Sequence, residues 1–230
     1  MSLTAQNLSF EYTFRGGRSL ALRRFTGEFD PGIPHVICGP SGSGKSTLSL
    51  LLAGLLTPSG GEVKLDGAHP STHRSRIAYV FQFAENIFFE DSLREELEQW
   101  TRASSSVDAS AFSTMGLNFA GLADMHPFHL SQGTSRLAAI ALQIARDPLL
   151  LILDEPTIGL DEEHERRVLE ALRSWIAQEK YLIVVTHDLG VIGALGGKAW
   201  VLGGGTLAWN GRTGDLLADE ALLKSYGLEA

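Results

Sequence analysis

Two short stretches contain residues whose types and spacing suit chemistry on a phosphorylated substrate. The first, CGPSGSGKST, fits the pattern G-x-x-x-x-G-K-[ST] from Gly39 to Ser46. Glycines 39, 42 and 44 allow the tight turns that bring successive amide N–H groups onto phosphate oxygens. A helix starting at Lys45 would add the partial positive charge of its N-terminus. In that arrangement Lys45 reaches the β and γ phosphates and Ser46 holds Mg²⁺. The second stretch is LLLILDEPTIGLD. Its apolar run predicts a buried strand ending at Asp154, at the sheet edge where a phosphate cradle also sits, so Asp154 is the candidate for orienting the metal through water. Glu155 is the candidate base for an attacking water, a role worth about 10² to 10⁴ in rate. An Asp-Glu pair alone could equally be a strand ending at the surface, and the cradle in the same chain favours catalysis.

The elements that must position these residues alternate along the chain. Leu8, Phe10 and Tyr12 alternate with polar residues as in a half-buried strand, and HVICG (His35 to Gly39) is a short apolar run ended by glycine. Strand-like GEVKLDG (Gly61 to Gly67) and RIAYVFQ (Arg76 to Gln82) follow the first helix. The polar stretch TRASSSVDAS (101–110) marks a lobe boundary. Apolar residues at helical spacing run from Ser131 to Arg146, then come a buried strand (Leu149 to Leu153), a helix (Glu162 to Gln178), a strand (Tyr181 to Val185) and a hairpin (Trp200 to Gly211). Strands alternating with helices predict an α/β fold with a largely parallel sheet.

Composition narrows the class. The 230 residues, 44% of them hydrophobic, suit one large domain with a full core. The longest apolar runs fall short of the roughly 18 residues that a membrane span needs. MSLTAQNLSFEY has neither a basic start nor an apolar core, so no secretory signal is expected there. A single cysteine, Cys38, expected to be a small buried hydrophobe beside the cradle, suits the reducing cytosol. A net charge of −8 argues against nucleic acid as a partner, and the arginines at 15, 18, 23 and 24 are expected on a solvated hairpin. Histidines 69, 73, 126 and 129 lack cysteine partners and are expected at the surface.

Two further pieces complete a pattern. LSQGTSRLAAIALQIARDP places a Leu-Ser-x-Gly opening directly before a helix that leads into the Asp-Glu strand, and VVTHDL ends the next strand with His187. In motif order the whole chain resembles the ATP-binding cassette ATPases. The resemblance implies a RecA-like P-loop ATPase core with a largely parallel sheet, an antiparallel β subdomain and a helical subdomain. It implies one ATP-binding domain over 1–230, with the helical part inserted at about 84–134. It also implies ATP and Mg²⁺ as ligands. Tyr12 would stack on adenine, and Gly39, Pro40, Ser41, Gly42, Ser43, Gly44, Lys45, Ser46 and Thr47 would cradle the phosphates. Gln82 would sense the metal and the attacking water, with Ser46 and Asp154 completing the metal set. Glu155, His187 and Gln82 would carry catalysis. Ser131, Gly133 and Asp161 would serve the nucleotide across a dimer, since in this family the signature segment caps the γ-phosphate bound to a second ATPase subunit, identical or paralogous. Here Gln132 and Thr134 replace the family's usual Gly and Gln.

Within that family, FQFAENIFFEDSLREEL and the C-terminal GDLLADEALLKSYGLEA look most like the ATPases of energy-coupling-factor importers for vitamins and transition-metal ions. That likeness implies integral membrane subunits docking near residues 82–96 and a place on the cytoplasmic face of the cell membrane. Ile87, Phe88 and Phe89 are expected either to supply apolar contacts there or to be core of the helical lobe, and Glu85, Glu90 and Asp91 to supply the negative charge for a basic partner helix. Besides the ATPase of another ABC transporter class, two readings of other kinds compete: the first a soluble cassette ATPase working on DNA or ribosomes, the second a nucleotide-dependent binding module without turnover. A coiled-coil insertion, a second cassette and a basic face, expected of the first, are missing here. Glu155 and His187 argue against the second.

Overall fold

The computed structural model describes residues 2–83, 87–101 and 109–228. Glu85, in the expected docking segment, and residues 102–108 of the polar stretch lie outside the described residues. The chain opens with a hairpin of β1 (Leu3–Phe14) and β2 (Gly17–Phe29), followed by β3 (Pro34–Cys38), α1 (Lys45–Leu52), β4 (Gly60–Leu65) and β5 (Ile77–Val80). Arg15, Arg18, Arg23 and Arg24 of the hairpin formed by β1 and β2 are exposed, as expected. Among the described residues the helices α2 (Leu93–Trp100), α3 (Ser110–Thr114), α4 (Phe119–Leu122) and α5 (Gln132–Ala145) come next. They lead to β6 (Leu150–Asp154), α6 (Glu162–Ile176), β7 (Tyr181–Val185) and α7 (Leu189–Leu195). The chain then forms β8 (Lys198–Gly203), β9 (Thr206–Arg212), α8 (Thr213–Ala218) and α9 (Glu220–Ser225).

Two sheets result. An antiparallel sheet has the order β2-β1-β4, and a larger sheet runs β5-β6-β7-β3-β8-β9, parallel from β5 to β8 with β9 antiparallel at its edge. The apolar runs are continuous because both faces of the larger sheet are covered. On β3, Val36 and Cys38 face the helices while Ile37 packs with α1 and the antiparallel sheet; on β6, Leu151 and Leu153 take the first side and Leu150 and Ile152 the second. Helix starts follow local chemistry. The Ser92 hydroxyl accepts from the Glu95 N–H, capping α2, and donates to the Glu95 carboxylate. Asp161 Oδ1 accepts the His164 N–H at 2.9 Å to cap α6, whose first turn carries Glu162, Glu163 and Glu165.

Several expectations need correcting. Phe88 is only 7% exposed and packs in the core of the helical lobe with Leu93, Leu97 and Phe112, whereas its neighbour Phe89 is 80% exposed. The segment reverses direction here under a buried carboxylate: Glu96, fully buried, accepts the N–H groups of Phe89 and Glu90 and the Trp100 indole N–H. His69, His73 and His126 are half-buried. In His69-Pro70 and His126-Pro127 the ring Nδ1 accepts the N–H two residues on and so caps a short 3₁₀ turn.

His35 is fully buried where the two sheets meet, its ring 5.1 Å from Phe29, and Trp200 lies 5.0 Å from Phe29. The Trp200 indole can only donate, and it does so to His35 Nδ1 at 3.1 Å, while Nε2 stands 2.9 Å from the Asp30 N–H and 3.1 Å from the Asp30 carbonyl. A proton on Nδ1 would oppose the indole N–H. Burial holds the ring pKa down at about 4.

Two outcomes follow from this packing. Because the folded-state pKa of His35 lies below its unfolded value of about 6.5, the unfolded chain takes up the proton first, so stability is full above pH 6.5 and falls as pH drops toward 4. Urea titrations should lose up to about 3 kcal/mol across that window, and the wild-type minus His35→Phe difference curve should isolate the loss. Phe88→Ala should cost about 3 to 5 kcal/mol by thermal denaturation, whereas Phe89→Ala should stay within about 0.5 kcal/mol of wild type.

Candidate active site

Strand register assembles the site. Val80, Leu153, Val184 and Val36 lie side by side across β5, β6, β7 and β3. Two or three residues beyond that line the strands end, and the chain delivers Gln82, Glu155, His187 and Gly39 to one sheet edge. With strands about 4.8 Å apart, this row is about 14 Å long. A cavity of about 550 Å³ lies on it, lined by Tyr12, the whole segment from Gly39 to Thr47, Gln82, Asp154, Glu155 and His187. The sequence-predicted cradle, carboxylates, glutamine and histidine are therefore brought together.

The cradle conformation depends on glycine. Gly39 has φ 136°, and a Cβ there would meet the Leu202 carbonyl oxygen at 2.2 Å; Gly44 has φ 100°, and its Cβ would lie 2.5 Å from the Ala21 carbonyl. Lys45 Nζ donates to the carbonyls of Gly39 (2.8 Å) and Pro40 (3.0 Å), and burial lowers its pKa against the pull of Glu155 and Asp154. Ser43 Oγ is buried and without a hydrogen-bond partner among the described residues. An orphaned hydroxyl and an ammonium in a glycine turn at the start of α1 fit an anionic phosphate chain. Tyr12 is 43% exposed, its hydroxyl 3.3 Å from Thr47 Oγ1, leaving its ring available to a flat base.

The carboxylates differ in environment. Burial raises the Asp154 pKa, opposed by a hydrogen bond from Ser46, so two oxygen ligands suited to Mg²⁺ stand together. Glu155 has φ 48°, unusual for a residue with a Cβ. That backbone is held by its N–H to the Val185 carbonyl at 2.8 Å. Its carboxylate oxygens are fixed separately, Oε2 accepting from Thr186 Oγ1 at 3.0 Å and Oε1 lying 2.6 Å from His187 Nδ1. An ionised carboxylate only accepts, so Nδ1 carries the proton and His187 presents Nε2 as its remaining polar atom. A carboxylate held at two points retains lone pairs for a water.

Ser131, Gly133 and Asp161 do not line this cavity. They sit together elsewhere: the His164 ring is 2.7 Å from Asp161 Oδ1 and would lie 3.6 Å from a Cβ on Gly133. The Ser131 hydroxyl accepts the Thr134 N–H at 3.2 Å and donates to Thr134 Oγ1 at 2.8 Å, so the residue replacing the usual glutamine ties up the signature serine.

A second cavity, about 740 Å³, shares Ser46, Gln82 and Asp154 with the first. Phe81, Phe83, Ile87 and Phe89 make it apolar, and Arg74 and Arg146 add positive charge. Phe88, expected here, is absent from its lining, as are Glu90 and Asp91.

Sequence reasoning missed Thr186, Tyr79 and Arg136. Tyr79 joins Ser49 Oγ (2.8 Å) to Asp154 Oδ2 (3.5 Å). Arg136 could have been noticed as the lone charge in α5, and Thr186 as the hydroxyl directly before His187.

Comparison with known proteins agrees with this geometry. The family model described as ABC transporter matches residues 22–158. A putative ABC transporter ATP-binding protein of Streptomyces avermitilis is 34% identical, covering 84% of this chain and 76% of its own length. The energy-coupling factor transporter ATP-binding protein EcfA2 of Clostridium perfringens is 30% identical over 99% of this chain and 86% of its own length. In fold, the dimeric post-hydrolysis ATP-binding cassette MJ0796 bound to ADP and Pi superposes with a TM-score of 0.81 at 24% identity, over 92% of this chain and 98% of that one. With a family match over more than half its length and relatives aligned along nearly all of it, this chain belongs to the ABC transporter ATPases.

Proposed function

We propose that this chain is the ATP-hydrolysing subunit of an importer of the energy-coupling-factor type, taking up a vitamin or a transition-metal ion chosen by a separate subunit. The observation that carries the reading is the shared cavity of Gly39 to Thr47, Asp154, Glu155 and His187. The importer type is supported by the 30% identity to EcfA2 along nearly the whole chain. Tyr12 stacks on the adenine of ATP, and the cradle amides with Lys45 hold its phosphates. Ser46 and Asp154 hold Mg²⁺, with Gln82 beside them, and the ion when bound would neutralise charge on the phosphates. Glu155 takes the proton of the attacking water, and His187 and Thr186 keep its carboxylate aimed. Ser131, Gly133 and Asp161 act on the nucleotide of a second ATPase subunit, so two chains enclose two ATP molecules. The dimeric cassette of similar fold supports this arrangement.

The second cavity is the docking groove for a membrane subunit, whose amphipathic helix lays its apolar face on Phe81, Phe83 and Phe89. The inserted lobe at about 84–134 supplies one wall of the groove. Among the described residues no helix is long and apolar enough to cross a membrane. The chain sits on the cytoplasmic face through its membrane partners, a placement supported by its similarity to EcfA2.

Chemistry and assembly can be tested together. Glu155→Gln should bind ATP as wild type does while turnover falls at least about 10²-fold, because the amide cannot take the proton. With Mg-ATP this variant should double its mass in light scattering, with itself or with a co-expressed paralogue. Lys45→Ala should instead weaken ATP binding about 10- to 100-fold through loss of a charge-assisted contact. Wild-type turnover in the first variant, or wild-type affinity in the second, sinks the assignment. For docking, Phe89→Asp should abolish co-purification with the membrane subunits and leave ATP affinity and melting temperature unchanged.

A further inference from the structure

Arg136 is the single charged residue of α5 and is only 2% exposed. Its guanidinium reaches three backbone carbonyls that are far away in sequence. Nη2 donates to the Gln82 carbonyl at 2.8 Å; Nη1 donates to the Ile158 carbonyl and makes a longer contact, 3.5 Å, with that of Glu155. One planar group thus touches the end of the strand that carries Gln82 and both ends of the turn from Glu155 to Ile158. It lines neither the nucleotide cavity nor the groove.

We infer that Arg136 is a positioning residue for hydrolysis, its fork of donors fixing the backbone of Gln82 and the backbone of Glu155 in one spatial relation. The inference rests on the reading of Gln82 and Glu155 as hydrolytic residues. Glu155 needs such support, because a residue with a Cβ holds a φ of 48° only where its surroundings over-determine it. Its N–H and its side chain are anchored from β7 and the segment after it, and Arg136 anchors the peptides that follow from the opposite side. A guanidinium suits this role because its donors are coplanar, diverge and sit on separate nitrogens, so one side chain can serve carbonyls on two different segments, Gln82 through Nη2 and Ile158 through Nη1. The same residue sits one turn after Ser131 on α5. The segment expected to reach the second nucleotide and the base acting on the first are therefore held by one rigid helix. A misplacement of about 1 Å at the reacting water costs about 10² in rate. The phosphates bind to the loop before α1, away from these contacts, so affinity and turnover separate.

The test compares Arg136→Gln and Arg136→Lys with wild type and with Glu155→Gln, in the assembly that hydrolyses ATP. Turnover, equilibrium Mg-ATP binding, melting temperature and amide exchange are measured. Arg136→Gln should lower kcat about 10- to 100-fold with ATP affinity within about twofold of wild type. The Leu160 amide, which bonds Thr157 within this turn, should exchange at least about tenfold faster while β3 and β7 amides do not change. Arg136→Lys should recover part of the loss. A kcat within about twofold of wild type overturns the proposal, as does exchange that quickens uniformly with a falling melting temperature. If Arg136→Gln does not fold, Arg136→Lys decides by the same readings, and failure of both to fold assigns Arg136 to the core alone. Wild-type turnover in Glu155→Gln would instead remove the underlying reading of the hydrolytic residues, while the Leu160 exchange still reports on the clamp.

Discussion

The pairing of four parallel strands is the constraint on which the rest of this molecule depends. Once Val80, Leu153, Val184 and Val36 stand in line, the residues that leave β5, β6, β7 and β3 have no choice about which neighbours they meet. Slipping one strand by a single residue would turn its side chains to the opposite face and break both cores. Those cores hold the register from either side. Helices α5, α6 and α7 press on one face, and the antiparallel sheet with α1 presses on the other. Chemistry at the sheet edge is therefore placed by apolar burial some distance below it. The polar groups at the edge make only the final adjustments, Thr186 and His187 to Glu155, and Ser46 and Tyr79 to Asp154.

The substitutions in the signature segment have a local physical result. A serine at an N-cap can use its oxygen as an acceptor for the helix and its proton for something else. Here that proton goes to Thr134. For Ser131 to donate to a phosphate on another subunit, the Thr134 contact must open first. At Gly133, by contrast, the nearest atoms that a Cβ would meet among the described residues belong to the His164 ring, at 3.6 Å, an ordinary contact distance. The α5 N-terminus thus keeps close backbone approach while its hydroxyl is already engaged.

Much of this was legible in the sequence because the relevant signals are local. A glycine-rich loop between an apolar run and a helix, and an Asp-Glu pair at the end of another run, declare both their elements and their edge of the sheet. Periodicity placed β3 to β7, α5 and α6 to within about two residues, whereas α7, α8 and α9 were not anticipated, β2 was expected only as part of a hairpin, and β1 begins five residues before the alternating stretch. What could not be read depends on contacts between distant segments. Phe88 and Phe89 are identical neighbours, and only the Glu96 carboxylate, which turns the chain between them, decides that one is core and the other exposed. Arg136 was visible as an odd charge on an apolar helix, but its acceptors are backbone carbonyls, which carry no sequence signature. The charge that lines the second cavity, the proposed groove, was not legible for the same reason. Glu90 and Asp91 are near it in sequence, whereas Arg74 and Arg146 come to it from far along the chain.

Ser46, Gln82 and Asp154 line both cavities, so the two share a wall one residue thick. Thermodynamic linkage makes such a wall symmetrical in its effects. If occupation of the apolar groove moves Gln82 or Asp154 enough to change the affinity for Mg-ATP, then Mg-ATP changes the affinity of the groove for its occupant by the same factor. Nucleotide and partner would then each be an effector of the other. A coupling of about 1 to 3 kcal/mol, roughly 5- to 150-fold, is the usual size of such an exchange. In the proposed docking, a wall built from candidate metal-site residues would make the grip on a partner helix depend on the state of the phosphates behind it.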